Sequence, residues 1–243
     1  MKFRHGVFTL ATAMALPLAA WADGLDEDRI KELVLETIRE NPGIVMEAVA
    51  ILEQRQADAA EVARADVLSN QRALLEQDTN APVLGNPDGD VTVVEFFDYN
   101  CPYCRRAMDE VQGLMDADAN VRLVYREWPI LGEGSVFAAK AALAARKQGK
   151  YEEFHWAMMS MNGRAEEASV LRVAAEVGLD IDQLRLDMEA PEIDEHLTTS
   201  MSLAQSLGFN GTPSFVIGDE LVPGFVEQPQ LEEIVDSTRK GLE

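Results

Sequence analysis

The run Val91-Thr92-Val93-Val94-Glu95-Phe96-Phe97, continued by Asp98-Tyr99-Asn100-Cys101-Pro102-Tyr103-Cys104, joins a strand-like segment to a two-cysteine motif. β-Branched and aromatic residues dominate its first half, the composition of a buried strand. Pro102 suits the first position of a helix, so the chain is expected to turn from strand to helix at Cys101. Cys101 and Cys104 are the only cysteines among 243 residues. A bridge enclosing two residues restricts the unfolded chain very little and makes a poor staple. Chemistry explains the spacing better: one thiolate attacks and the other resolves.

The expected helix start gives Cys101 its role. Unpaired amide N–H groups and the positive end of the helix dipole favour an anion there. A thiol so placed has its pKa lowered from roughly 8.5 to between about 3.5 and 7.5. Cys101 is therefore expected to be the nucleophile, and Cys104, one turn further in, the resolving thiol. Glu95 interrupts the apolar strand on the same face as Val93 and Phe97. Buried there, it would hold a raised pKa and could exchange the Cys104 proton; on an edge strand it would reach solvent. Arg105 and Arg106 oppose the helix dipole. They either stabilise the thiolate or steer an acidic partner, or they are solvated and answered by Asp109 and Glu110.

Further outward, the chain reads in regimes. Leu25 to about Asp78 is helical in pattern, with one break at Asn41-Pro42-Gly43, where Asn41 is expected to cap a second helix and Pro42 to open it. Asp78 to Asp90 reads as a linker by its Asn, Pro and Gly content. Val121 to Tyr125 is a second strand, and about 133–209 a helical insertion with stops near Gly149, Gly163, Gly178 and Pro191. Ser214 to Val222 reads as a hairpin turning at Gly218-Asp219, and Pro229 opens a last helix. Pro213, just before a strand, cannot donate to a ladder, which a cis Thr212-Pro213 peptide would explain. The order is that of an α/β thioredoxin fold with a helical insertion, preceded by an N-terminal helical segment. The expected divisions are 1–22, 23–80 and 81–243.

Lys2 and Arg4, the apolar run from Gly6 to Ala20 and the small-x-small Ala20-Trp21-Ala22 resemble an export signal cleaved after Ala22. The run is shorter than the roughly 18 residues a membrane span needs, and no second one follows. The periplasm, which is held oxidising, is the expected compartment. A net charge of −22, becoming −24 once Lys2 and Arg4 are removed, repels nucleic acid and anionic membrane surfaces. No cofactor is expected. A zinc site is poorly supported, because only His155 and His196 remain after cleavage and they stand 41 residues apart.

Taken together, Glu95-x5-Cys101-Pro102-Tyr103-Cys104, the insertion and Gly211-Thr212-Pro213 before a hairpin resemble the DsbA family of bacterial periplasmic thiol–disulfide oxidoreductases. Phe96 to Cys104 and Tyr125-Arg126-Glu127-Trp128-Pro129-Ile130-Leu131 carry the likeness, which spans about Ala81 to Glu243. The leader, with Glu40-Asn41-Pro42, is similar to that of the copper-sensitivity suppressor C branch, in which it mediates self-association. By that resemblance Cys101 attacks, Cys104 resolves and Glu95 is the buried acid. Pro213 is the cis-proline that holds substrate backbone, with Thr212 before it. Pro102-Tyr103 stands where the founding oxidase has Pro-His, and Thr212 where it has Val; both changes point toward isomerase or reductase behaviour.

The function expected is disulfide exchange with protein substrates by a homo-oligomer, served by a membrane reductase of the DsbD type. A dithiol oxidase recharged by a DsbB-type partner is the alternative within the same chemistry. A Cu(I)-binding protein using the two thiolates is the alternative from another class.

Overall fold

A computed structural model describes residues 26–242; the expected signal segment and its cleavage site lie outside the described residues. In chain order the elements are α1 (Glu27–Glu40), α2 (Gly43–Asn70), α3 (Arg72–Glu76), β1 (Val83–Gly85), β2 (Val91–Phe97), α4 (Pro102–Ala117) and β3 (Val121–Glu127). The insertion follows as α5 (Glu133–Ala145), α6 (Tyr151–Ser160), α7 (Glu167–Glu176), α8 (Ile181–Asp187) and α9 (Pro191–Ser206). The hairpin β4 (Ser214–Ile217) and β5 (Glu220–Pro223) and the helix α10 (Gln228–Leu242) close the chain.

The five strands form one sheet in the order β1-β3-β2-β4-β5. β2 runs parallel to β3, paired from Val91 with Val121 to Phe97 with Glu127, and antiparallel to β4. Strand β2 is therefore central, and its alternation serves two cores. Val93 and Phe97 join α4, α10 and the insertion helices α5 to α8 on one face, whereas Val94 and Phe96 meet Leu203, Leu207 and Phe209 from the end of the insertion on the other. Glu95 shares the face of Val93 and Phe97, as its position in the strand implies.

The chain divides into two compact units, one ending at Arg55 and one beginning at Gln56. In the first, Asp26 caps α1 by accepting from the Arg29 amide at 2.7 Å. Asn41 does not cap the second helix as expected. It ends α1, with both its backbone N–H and its Nδ2 donating to the Thr37 carbonyl, and α2 begins only at Gly43. The apolar positions Ile30, Leu33, Val34, Ile38 and Ile44 line a shallow groove, with Val34 half exposed.

In the second unit, the end of α2 and α3 each send a side chain into the core: Val67 and Leu75 are fully buried. Arg126 of β3 secures them. It donates to the Leu74 and Leu75 carbonyls, orphaned at the end of α3, and pairs with Asp78 at 2.7 Å. The stretch expected as a linker carries β1. Three residues of edge strand, paired antiparallel with β3, give too short a pattern to stand out among Asn, Pro and Gly.

Candidate active site

Cys101 occupies the N-cap of α4 with extended backbone (φ −80°, ψ 118°), and Pro102 takes the first helical position. Its sulfur lies at the C-terminal end of β2, 3.1 Å from the carbonyl oxygen of Thr212. The Thr212-Pro213 peptide is cis, and Gly224 N–H donates to the Pro213 carbonyl at 2.9 Å, tying β5 to that turn. Residues 111 positions apart thus share one site.

The two thiols, both free, differ sharply. The Cys101 pKa is lowered to about 5, first by the hydrogen bond from the Cys104 thiol. The Thr212 side chain and the backbone N–H groups of Cys104 and Tyr103 add to this, against the cost of burial. Burial pushes the Cys104 thiol well up, and its hydrogen bond to the Cys101 sulfur and the nearby Glu95 charge push the same way. Glu95 is buried, its pKa raised to about 8 by desolvation and then by the Cys101 charge. The sheet thereby brings Glu95, Cys101, Cys104, Thr212 and Pro213 into one electrostatic neighbourhood, beside the exposed Tyr103.

Arg105 is half-buried, and its charge interacts with that of Cys101 without a hydrogen bond to the sulfur. Its Nε donates to the Tyr99 carbonyl at 3.0 Å and its Nη1 to the Met161 carbonyl at 2.9 Å, bracing the turn against the insertion. Arg106 stacks over Phe225 at 4.4 Å.

Two residues of the turn were not singled out from the sequence. Asp98 is buried, and its carboxylate accepts from Asn100 N–H at 2.7 Å, Ile130 N–H at 2.8 Å and Leu131 N–H at 2.9 Å. Asn100 clasps Ala165 in both directions and donates to Ser135. The Asx turn of Asp98-x-Asn100 was a legible local signal; its long-range acceptances were not. Behind the turn, Tyr99 and His155 meet at 3.0 Å, Tyr151 donates to Glu127 at 2.7 Å, and His196 lies 2.7 Å from Glu127. Among the described residues no group of three His, Cys, Asp or Glu is placed to hold a metal ion.

The profile of the DSBA-like thioredoxin domain matches residues 92–236, from β2 through most of α10. The chain belongs to the DsbA-like thioredoxin family. It is a thiol–disulfide oxidoreductase of the DsbA and ScsC type. Ahead of the DsbA-like domain, residues 26–59 match the copper resistance protein ScsC N-terminal domain. A thioredoxin-like oxidoreductase from Silicibacter pomeroyi is 74% identical, with a TM-score of 0.69, covering 70% of this chain and 98% of its own. A linker-deletion mutant of Proteus mirabilis ScsC is 26% identical, with a TM-score of 0.68, covering 92% of this chain and 99% of its own. The first curated relative, a Na(+)/H(+) antiporter NhaA 3 from Salinispora tropica, is 31% identical over 56% of this chain. The match spans only 21% of that relative's length, so the likeness is to one part of a longer protein.

Proposed function

We propose that the chain works in the periplasm as a disulfide isomerase or reductase for protein substrates. The observation that carries the exchange chemistry is the contrast between an acidic thiol at Cys101 and a buried, poorly acidic one at Cys104. The Cys101 thiolate attacks one sulfur of a substrate disulfide; that S–S bond breaks, a mixed disulfide forms and the other substrate sulfur leaves as thiolate. In isomerisation a second substrate thiolate then attacks the mixed disulfide and frees Cys101, with no net electron transfer.

In reduction, Cys104 loses its proton and attacks the Cys101 sulfur. The intramolecular disulfide closes, the second substrate sulfur leaves, and two electrons have passed to the substrate. Glu95 is the proton acceptor in this reading. Mixed-disulfide formation consumes the Cys101 charge that helps hold Glu95 protonated, so its carboxyl group gives up a proton more readily when Cys104 must be deprotonated. Thr212 and Pro213 hold substrate backbone across the cleft, and a DsbD-type membrane reductase restores the dithiol.

Tyr103 in place of histidine and Thr212 in place of valine support the isomerase direction. So does the leader: its apolar groove and its likeness to the ScsC N-terminal domain support self-association, which would gather several sites around one substrate. Residence in the periplasm accords with the DsbA and ScsC homologues. The test is refolding of scrambled ribonuclease by the mature chain and by a variant lacking residues 26–55, with light scattering on both. Loss of isomerase activity together with a fall to one chain per particle is expected on deletion. A monomeric intact protein that only oxidises reduced substrates would place the chain with the dithiol oxidases.

A further inference from the structure

The chain carries 43 carboxylates and 21 lysines and arginines, and among the described residues many cations elsewhere are neutralised: Arg72, Arg126, Arg172, Arg185 and Arg239 each pair with a carboxylate. The arginines around Cys101 depart from this. Among the described residues, Arg105, Arg106 and Arg164 form no ion pair, although Asp109 and Glu110 stand one turn beyond Arg106. The Glu110 carboxylate accepts instead from Gln228 N–H at 2.8 Å. Arg105 gives its Nε and Nη1 to backbone carbonyls, but Arg106 and Arg164 are exposed.

Both are held by segments bonded to the active-site turns. Arg106 lies over Phe225, whose neighbour Gly224 donates to the Pro213 carbonyl. Arg164 makes one hydrogen bond, to the Leu131 carbonyl, and Leu131 N–H donates to Asp98. Beside them Tyr103, Ile130 and Leu131 expose large apolar side chains. Stacking and tethering fix each guanidinium while leaving most of its five donors open, a fork that matches a carboxylate.

From this arrangement we infer that the rim formed by Arg106 and Arg164 receives an extended protein segment whose cysteine is flanked by acidic residues. The inference rests on the thiol-exchange reading above and adds the chemistry of the partner. The net charge of the chain does not oppose it at physiological salt. The screening length is then about 8 Å, so a segment entering the cleft feels the rim more than the distant carboxylates.

The test uses the reduced mature protein and two disulfide-bonded peptides of one sequence, with glutamate or lysine on either side of the cysteine. Exchange rates are measured at 0.15 M and 1 M NaCl, each divided by the rate of the same protein with neutral 2-hydroxyethyl disulfide. That ratio cancels any change in the thiolate itself. The glutamate peptide should react about tenfold faster at 0.15 M, the low end of electrostatic rate effects, and lose that lead at 1 M. Arg106→Ala combined with Arg164→Ala should abolish the lead at both salts. Equal rates for the two peptides, or a lead that survives in the double variant, would overturn the assignment while leaving the exchange chemistry standing. Failure of the neutral disulfide to react would remove both.

Discussion

The sulfur of Cys101 and the carbonyl oxygen of Thr212 meet at 3.1 Å although 111 residues separate them. This contact sets the nucleophile against the turn proposed to hold substrate backbone, and it brings the Thr212 side chain within reach of the thiolate.

Thr212→Val should therefore raise the Cys101 pKa. The valine keeps the shape of the side chain and removes one donor to the thiolate, whereas the Cys104 hydrogen bond and the helix N–H groups remain. Thiolate absorbance followed against pH should show a midpoint near 5 in the native chain and a higher one in the variant. Coincident titrations would show that the threonine contributes nothing to the acidity.

Glu95 binds its proton more tightly in the folded chain, near pH 8, than an ordinary carboxyl, near 4.5. Between those values the unfolded chain ionises and the folded chain resists, so this group lowers stability as pH rises. Glu95→Gln should match the native chain near pH 4 and be the more stable of the two at pH 8, by at most about 5 kcal/mol. The same variant should slow release of the mixed disulfide by Cys104 without slowing the first attack. Urea midpoints at the two pH values and single-turnover kinetics check the two halves separately.

His155 shows the opposite sign. Burial lowers its pKa to about 3, so the folded chain keeps the imidazole neutral against Tyr99 while the unfolded chain takes a proton near 6.5. Its contribution is complete above pH 6.5 and is lost as pH falls toward 3. His155→Gln should lose less stability than the native chain between pH 7 and pH 4. An equal loss in both proteins would assign the acid sensitivity to other groups.

Arg126 is a buried charge whose partners are a carboxylate and two helix-end carbonyls. Arg126→Met keeps much of the volume but strands Asp78 and those carbonyls. About 3 kcal/mol of stability should be lost. Proteolysis should also reach α3 sooner in the variant, which limited digestion would reveal.

The strand, the cysteine motif, the hairpin and the insertion were legible because each rests on local pattern. β-Branched runs, Gly stops and a proline at a helix start act over a few residues. Asp98 and Asn100 were not recognised as clasps, because their partners, Ile130, Leu131 and Ala165, lie 32 to 65 residues away. Arg106 and Arg105 look alike in sequence and in composition. Only the helix face each occupies sends Arg105 to backbone carbonyls and leaves Arg106 on Phe225.

Residue type and spacing alone determined that a thiol would stand at a helix start, next to a second thiol one turn inside and after a strand holding a carboxyl group. The tertiary structure decided the strength of each effect. Central placement of β2 makes the carboxyl group a buried one, and closure of the sheet by β4 carries Thr212 to the sulfur. The division is physical: backbone propensity and the helix dipole act within a turn or two, whereas desolvation and long-range hydrogen bonds exist only once the layers have closed.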